Sequence, residues 1–223
     1  MSEALPPKRR PRVKICCIAS LAEALAAIDA GASTLGLVSA MPSGPGVIAE
    51  EAIAEIARRI PPPMGTFLLT SAASADTIVA QQRRCGTNTL QLCDYVDVAV
   101  YRQLRRELPG IALVQVIHVT GPEAVGLARQ AAEHVQALLL DSGNPALPVK
   151  ELGGTGRTHN WAISRRIRET AGVPVFLAGG LTAGNIAQAV AVVDPFGVDL
   201  CSGVRSEGQL DGNKLRAFFD ALD

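Results

Sequence analysis

The sequence predicts an α/β chain folded as a single (β/α)8 TIM barrel. Three observations carry that reading. From Val13 to the C-terminus, apolar strand-like runs alternate about eight times with helical patterns. All but one of the connections are short, which implies parallel strands joined by right-handed crossovers. An open doubly wound sheet should show a G-x-G-x-x-G turn after its first strand, and none stands there. The length, 223 residues, suits one domain of this kind.

The units follow in order. Val13 to Ile18 is β-rich, and a helix over Leu21 to Ala30 follows, with Ser20 placed to cap it and Gly31 to close it. Ser33 to Ser39 is the second strand. The helix over Glu50 to Ile60 places Ile53, Ile56 and Ile60 at helical spacing, and Pro61-Pro62-Pro63 stops it. Strand Thr66 to Leu69 precedes helix Ala75 to Arg84; strand Thr89 to Leu92 precedes helix Val98 to Leu108. Strand Ile111 to Val119 leads to helix Pro122 to Glu133, and strand Ala137 to Leu140 to helix Trp161 to Thr170. Strand Pro174 to Ala178 with helix Ala183 to Val193, then strand Val198 to Cys201 with helix Lys214 to Leu222, complete the set. The one long connection, from Asp141 to Trp161, is of a length usually reserved for function.

Composition excludes several classes. Hydrophobic residues make up 48%, yet no apolar run approaches the roughly 18 residues a membrane span needs. Net charge is zero and the pI about 6.8, so no global field favours nucleic acid. Five cysteines, Cys16, Cys17, Cys85, Cys93 and Cys201, are an odd count without metal spacing, which points to a reduced, cytoplasmic setting and to no metal. Residues 1–12, short, basic and Pro-rich, read as a flexible tail before a barrel over 13–223.

Chemistry is expected at the carboxyl ends of the strands. Leu138-Leu139-Leu140 is a buried strand that ends in Asp141, although a turn-forming aspartate reads equally well in isolation. Lys14 and Cys16 share one face of the first strand, and the last strand offers Asp199. Glycine turns recur at Gly153-Gly154-Thr155-Gly156, Gly179-Gly180 and Ser202-Gly203. Their bare amides suit a phosphate, and three on neighbouring strand ends form a moderately specific signature.

These blocks, Lys14-Ile15-Cys16, Leu139-Leu140-Asp141-Ser142, Gly153-Gly154-Thr155-Gly156, Leu177-Ala178-Gly179-Gly180-Leu181 and Gly197-Val198-Asp199-Leu200-Cys201-Ser202-Gly203-Val204, resemble the phosphoribosylanthranilate isomerase family in order and spacing. Trp161 and Asn185 extend the likeness. The resemblance implies an Amadori rearrangement in tryptophan biosynthesis, with Cys16 as general base and Asp141 as general acid. It implies phosphate binding by Gly154, Thr155, Gly156, Gly179, Gly180, Ser202 and Gly203, with Lys14 and Asp199 toward the substrate. No metal or organic cofactor is implied, because the substrate nitrogen is the electron sink. The expected partner is a sugar phosphate, with neither nucleic acid nor membrane, and the chain is expected as a monomer or homodimer.

The chain departs from the family at four points. Cys17 stands where glycine is usual, and Cys17, Cys85 and Cys201 read as packing residues. Pro45 falls where the family's arginine grips the anthranilate carboxylate, and proline offers no charge. Cys93 replaces a substrate-side histidine, and Asp94 beside it should repel a carboxylate. Arg157 and Arg205 are the available substitutes, both on the phosphate side. Two alternatives stay open: an isomerase of another N-glycosyl sugar phosphate, or a non-catalytic sugar-phosphate-binding barrel.

Overall fold

The computed structural model describes residues 10–223. Eight parallel strands form a closed barrel in sequence order. They are β1 (Arg12–Ile15), β2 (Thr34–Val38), β3 (Gly65–Thr70), β4 (Thr89–Leu92), β5 (Ala112–His118), β6 (Ala137–Asp141), β7 (Val175–Leu177) and β8 (Gly197–Leu200). The ring closes where β8 pairs with β1, from Arg12 against Gly197 to Ile15 against Leu200.

A helix follows each strand: α1 (Leu21–Asp29), α2 (Glu50–Arg59), α3 (Ala75–Cys85), α4 (Val98–Glu107), α5 (Ala124–Ala132), α6 (Trp161–Thr170), α7 (Ile186–Val193) and α8 (Gly212–Leu222). Local chemistry sets their starts. The Ser20 hydroxyl accepts from Glu23 N–H at 3.2 Å, as the sequence anticipates, and Asn160 Oδ1 accepts from Ala162 N–H at 3.0 Å. The helix expected from Ala183 begins only at Ile186. Asn185 is spent on the preceding turn, its Nδ2 donating to Gly180 O and its Oδ1 accepting from Thr182 N–H. After β8 the chain adds an unexpected two-residue hairpin, β9 (Arg205–Ser206) with β10 (Gln209–Leu210).

Strand alternation builds two apolar layers. Outward residues such as Ile15, Leu35, Leu68, Leu90, Leu138 and Val198 pack with Ile53, Ile78, Leu104, Ile167 and Phe218 of the helices. Each such side chain, fully buried, stabilises the fold by roughly 1.5–3 kcal/mol. Inward residues, including Phe67, Leu69, Val114, Val116, Leu139 and Phe176, fill the barrel interior. Phe67 and Phe176 meet edge-on, ring centroids 6.0 Å apart.

The first strand starts at Arg12, one residue into the expected tail, and Arg10 already bonds the barrel through an ion pair to Asp223 at 3.0 Å. The rest of that tail lies outside the described residues. Among those described, no helix is long and apolar enough to cross a membrane.

Candidate active site

Side chains from the carboxyl ends of several strands surround a cleft of about 710 Å³ that opens to solvent. Cys16 and Asp141 both line it, as do Asp199 and Ser202. The turns at Gly154-Thr155-Gly156 and Gly179-Gly180 close one end. Two expected site residues stand outside the wall. Lys14 lies a layer deeper, fully buried, and acts only through its neighbours. Gly203 packs on the β7 loop so tightly that a Cβ there would stand 2.0 Å from Leu181 O.

Cys16 follows β1 and is fixed by its own N–H, which donates to Leu200 O at 2.7 Å. Gly36 on β2 makes the space: a Cβ there would stand 2.9 Å from Cys16 Sγ and 3.0 Å from Lys14 Nζ. The adjacent Cys17, more than the Lys14 ammonium nearby, holds the Cys16 thiol below its ordinary pKa against the opposing effect of burial. Cys17 takes the opposite shift, raised by the neighbouring Cys16 and Cys201 sulfurs and by burial, and its thiol donates to Pro45 O at 3.7 Å. Cys17 packs in the inner core with Cys201 against it, as expected, and both also line the cleft beside Cys16; Cys85 is packed in the outer layer.

Asp141 ends β6 and is 7% exposed. The long loop folds back over it, and a Cβ on Gly153 would lie 2.8 Å from its Oδ2. That desolvation raises the carboxyl's pKa, although Ser142 N–H donates to Oδ1 at 2.8 Å and works the other way. A thiol pushed down and a carboxyl pushed up thus face one cleft.

At the glycine end, Ser142 Oγ and Thr155 Oγ1 are 2.6 Å apart. Gly180 adopts φ +61°, and a Cβ there would stand 2.7 Å from Arg157 C and 2.8 Å from Thr158 N, so only glycine lets the two turns meet. Thr155 and these turns present hydroxyl and amide donors suited to an anion.

His118 escaped the sequence reading. It pairs in register with Asp141, is 2% exposed, and its Nε2 lies 2.9 Å from Cys93 O. A carbonyl only accepts, so Nε2 carries a proton, and Nδ1 has no hydrogen-bond partner among the described residues. Strand alternation, which puts His118 on the inner face one strand from Asp141, was the available signal. The rim charges also differ from expectation. Asp94 pairs with Lys150, Arg157 with Glu151 at 2.5 Å, and Arg205 with Glu23 at 2.9 Å, so each of these charges has a partner at rest.

A sequence model of the N-(5'phosphoribosyl)anthranilate (PRA) isomerase family matches residues 13–221. The N-(5'-phosphoribosyl)anthranilate isomerase of Haloferax volcanii is 36% identical over 213 residues, 94% of this chain and 92% of that protein. N-(5'-phosphoribosyl)anthranilate isomerase 2 of Methanosarcina mazei is 33% identical over 209 residues, 93% and 92% of the two chains. Among solved structures, phosphoribosyl anthranilate isomerase of Thermotoga maritima superposes with a TM-score of 0.79 at 26% identity, covering 95% of this chain and 98% of that one. With the match spanning every strand of the barrel and both ends of the cleft, the chain belongs to the N-(5'-phosphoribosyl)anthranilate isomerase family.

Proposed function

We propose that this chain is an aldose–ketose isomerase that converts N-(5-phosphoribosyl)anthranilate into 1-(2-carboxyphenylamino)-1-deoxyribulose 5-phosphate, a step of tryptophan biosynthesis, with Cys16 as its base and Asp141 as its acid. The observation that carries the assignment of roles is the opposed proton affinity of those two groups across one cleft.

The chemistry asks for both. Asp141, kept protonated by desolvation, donates to the furanose ring oxygen. The ring opens and leaves a protonated imine between C1 and the aglycone nitrogen. That cation acidifies the C2 proton, which the Cys16 thiolate removes, and the resulting enolamine tautomerises to the C2 ketone. Ordinarily a thiol of pKa about 8.5 is only a few per cent thiolate at neutral pH. The adjacent Cys17 and the Lys14 charge raise that fraction. The substrate nitrogen serves as the electron sink throughout.

Phosphate is assigned to the turns at Gly154, Thr155, Gly156, Gly179, Gly180 and Ser202, with Asp199 beside the sugar. Lys14 supports the base from beneath through Asp199. Five free cysteines, one of them the base, fit a reducing compartment such as the cytoplasm.

The test is consumption of fluorescent N-(5-phosphoribosyl)anthranilate by the purified full chain. Turnover is expected, and Cys16→Ser and Asp141→Asn should each lower kcat by about 10²–10⁴-fold with KM little changed. Saturable binding without turnover in the unaltered protein would refute the activity, and undiminished kcat in Cys16→Ser would refute the base.

A further inference from the structure

The cleft has two unlike ends. Phosphate turns gather on the β6 to β8 side, whereas the wall toward β2, β3 and β4 is mostly apolar, made by Val38, Met41, Leu69, Cys93 and Leu152 with Ser43 and Gln91 as its polar side chains. A sugar phosphate seated in the turns, with its C1 and C2 between Asp141 and Cys16, sends its aromatic aglycone to that apolar end. Anthranilate carries a carboxylate there, and a carboxylate leaving water needs a cation or several donors. The expected arginine position holds Pro45, which supplies neither.

Four cations border the site, and three are committed elsewhere. Lys14 is fully buried with Asp199. Arg205 is held behind β1 by Glu23 and the carbonyls of Cys17 and Gly208. The Arg157 backbone packs against Gly179 and Gly180, on the phosphate side. Lys150 is the fourth. Its side chain is 47% exposed, and its Nζ bonds Asp94, the residue that follows Cys93 on the apolar rim. The segment that lacks the arginine also holds the lysine in place. Ser43 Oγ donates to Lys150 O at 2.6 Å, and Pro45 Cδ lies only 2.5 Å from where a Cβ would stand on Gly154.

We propose that Lys150, carried to the mouth by the loop after β6, binds the carboxylate of the aromatic aglycone in place of an arginine, with Asp94 as its resting partner. This rests on phosphoribosylanthranilate being the substrate. The exchange costs little, because the lysine end of the pair is half-exposed, with Asp94 14% exposed, and an ammonium on its flexible stem turns readily from one carboxylate to another. Specificity then comes from a residue in the one loop long enough to cross the mouth.

The experiment compares the full-length protein with Lys150→Met and Lys150→Arg on two substrates, N-(5-phosphoribosyl)anthranilate and N-(5-phosphoribosyl)aniline, which lacks the carboxylate. Losing a charge-assisted contact used equally in ground and transition states should raise KM for the anthranilate compound about tenfold in Lys150→Met, with kcat nearly unchanged. Lys150→Arg should restore KM. The aniline compound should show one KM in all three proteins, above that of the anthranilate compound in the unaltered chain. Competitive inhibition by inorganic phosphate should be equal throughout, which reports an intact cradle. An unchanged KM in Lys150→Met, or equal KM for the two compounds in the unaltered protein, overturns the proposal. Should the unaltered protein bind phosphate yet turn over neither compound, the functional reading fails instead. Lys150 is then judged by calorimetric affinity for 1-(2-carboxyphenylamino)-1-deoxyribulose 5-phosphate, where equal values in the unaltered chain and Lys150→Met overturn it.

Discussion

Lys14 Nζ and Asp199 Oδ1 lie 2.9 Å apart beneath the cleft, on directly paired positions of the strands that close the barrel. Lys14 also sits 5.6 Å from the centroid of Phe67. Burial alone would lower the lysine's pKa, but Asp199 and the Cys16 sulfur outweigh it and raise it. Removing one partner strands a buried charge. Asp199→Ala should therefore cost about 3–5 kcal/mol in denaturant unfolding, whereas the apolar double replacement Lys14→Met with Asp199→Leu should cost far less. The sign with pH follows. A lysine whose folded pKa is raised stabilises fully below its unfolded value of about 10.4 and loses that contribution as pH climbs through the raised one. Equal stability of Asp199→Ala and the unaltered chain at pH 7 would remove the pair from the account.

The proposed base and acid set the expected pH profile. With Cys16 acting deprotonated and Asp141 protonated, kcat/KM should be bell-shaped. The thiol limb should fall below the ordinary thiol value of about 8.5, because Cys17 and Lys14 favour the thiolate. The carboxyl limb should lie above the ordinary aspartate value of about 3.9, because burial favours the acid form. Asp141→Asn should abolish the carboxyl limb together with most of the rate. A profile whose limbs sit at the two unperturbed values would contradict the assignment.

Cys17→Gly separates two roles of one residue. Cys17 holds φ +62°, a left-handed conformation that costs a non-glycine residue about 1–2 kcal/mol. Glycine relieves that strain but surrenders a small buried side chain worth about 1 kcal/mol. The two nearly cancel, so the melting temperature should hardly move. Activity should move, because the neighbouring thiol that lowers the Cys16 pKa is gone. The thiol limb of the pH profile shifts upward, and the loss is larger at pH 6 than at pH 9. Cys17→Ser, which keeps a donor, should recover part of it. An unmoved limb in Cys17→Gly would assign the Cys16 shift to Lys14 alone.

The fold was legible because barrel strands repeat one pattern. Thr89–Leu92 and Trp161–Thr170 begin and end where their residues say they should. Asp141 was legible as a carboxylate at the end of an apolar run, whereas Cys16, which alone reads as a small buried hydrophobe, stood out only through the family's blocks. Alternation, however, reports which face a side chain takes and not how deep it lies, so Lys14 was placed in the site when it lies under it. The start of α7 was hidden because Asn185 bonds both Gly180 and Thr182, a choice made by the turn and not by periodicity. Lys150 was invisible for a stronger reason. Its position depends on Ser43 and Asp94, 107 and 56 residues away, and no local pattern encodes where a long loop will land.

Arg205 ties the end of β1 to the last loop. Its two terminal nitrogens donate to Glu23 at 3.0 and 2.9 Å, and it also reaches Gly208 O at 2.8 Å and the Cys17 carbonyl. The arginine is 8% exposed, so Arg205→Met leaves Glu23 and those carbonyls poorly paired and should cost about 3 kcal/mol. The change should also appear in acid. Burial pushes the Glu23 carboxyl up, but Arg205 and the N–H groups of Ala19 and Leu210 outweigh it and hold the carboxyl below its ordinary value. A carboxylate with a depressed folded pKa stabilises above its unfolded value of about 4.3 and loses that contribution as pH falls through the folded one. Taking away the arginine narrows this gap, so acid unfolding of Arg205→Met, followed by circular dichroism, should begin at higher pH than in the unaltered chain. Because Arg205 bonds the carbonyl next to the base, kcat should drop as well, with phosphate inhibition unchanged. Acid unfolding at the same pH in both proteins would mean that the hairpin after β8 holds β1 without this arginine.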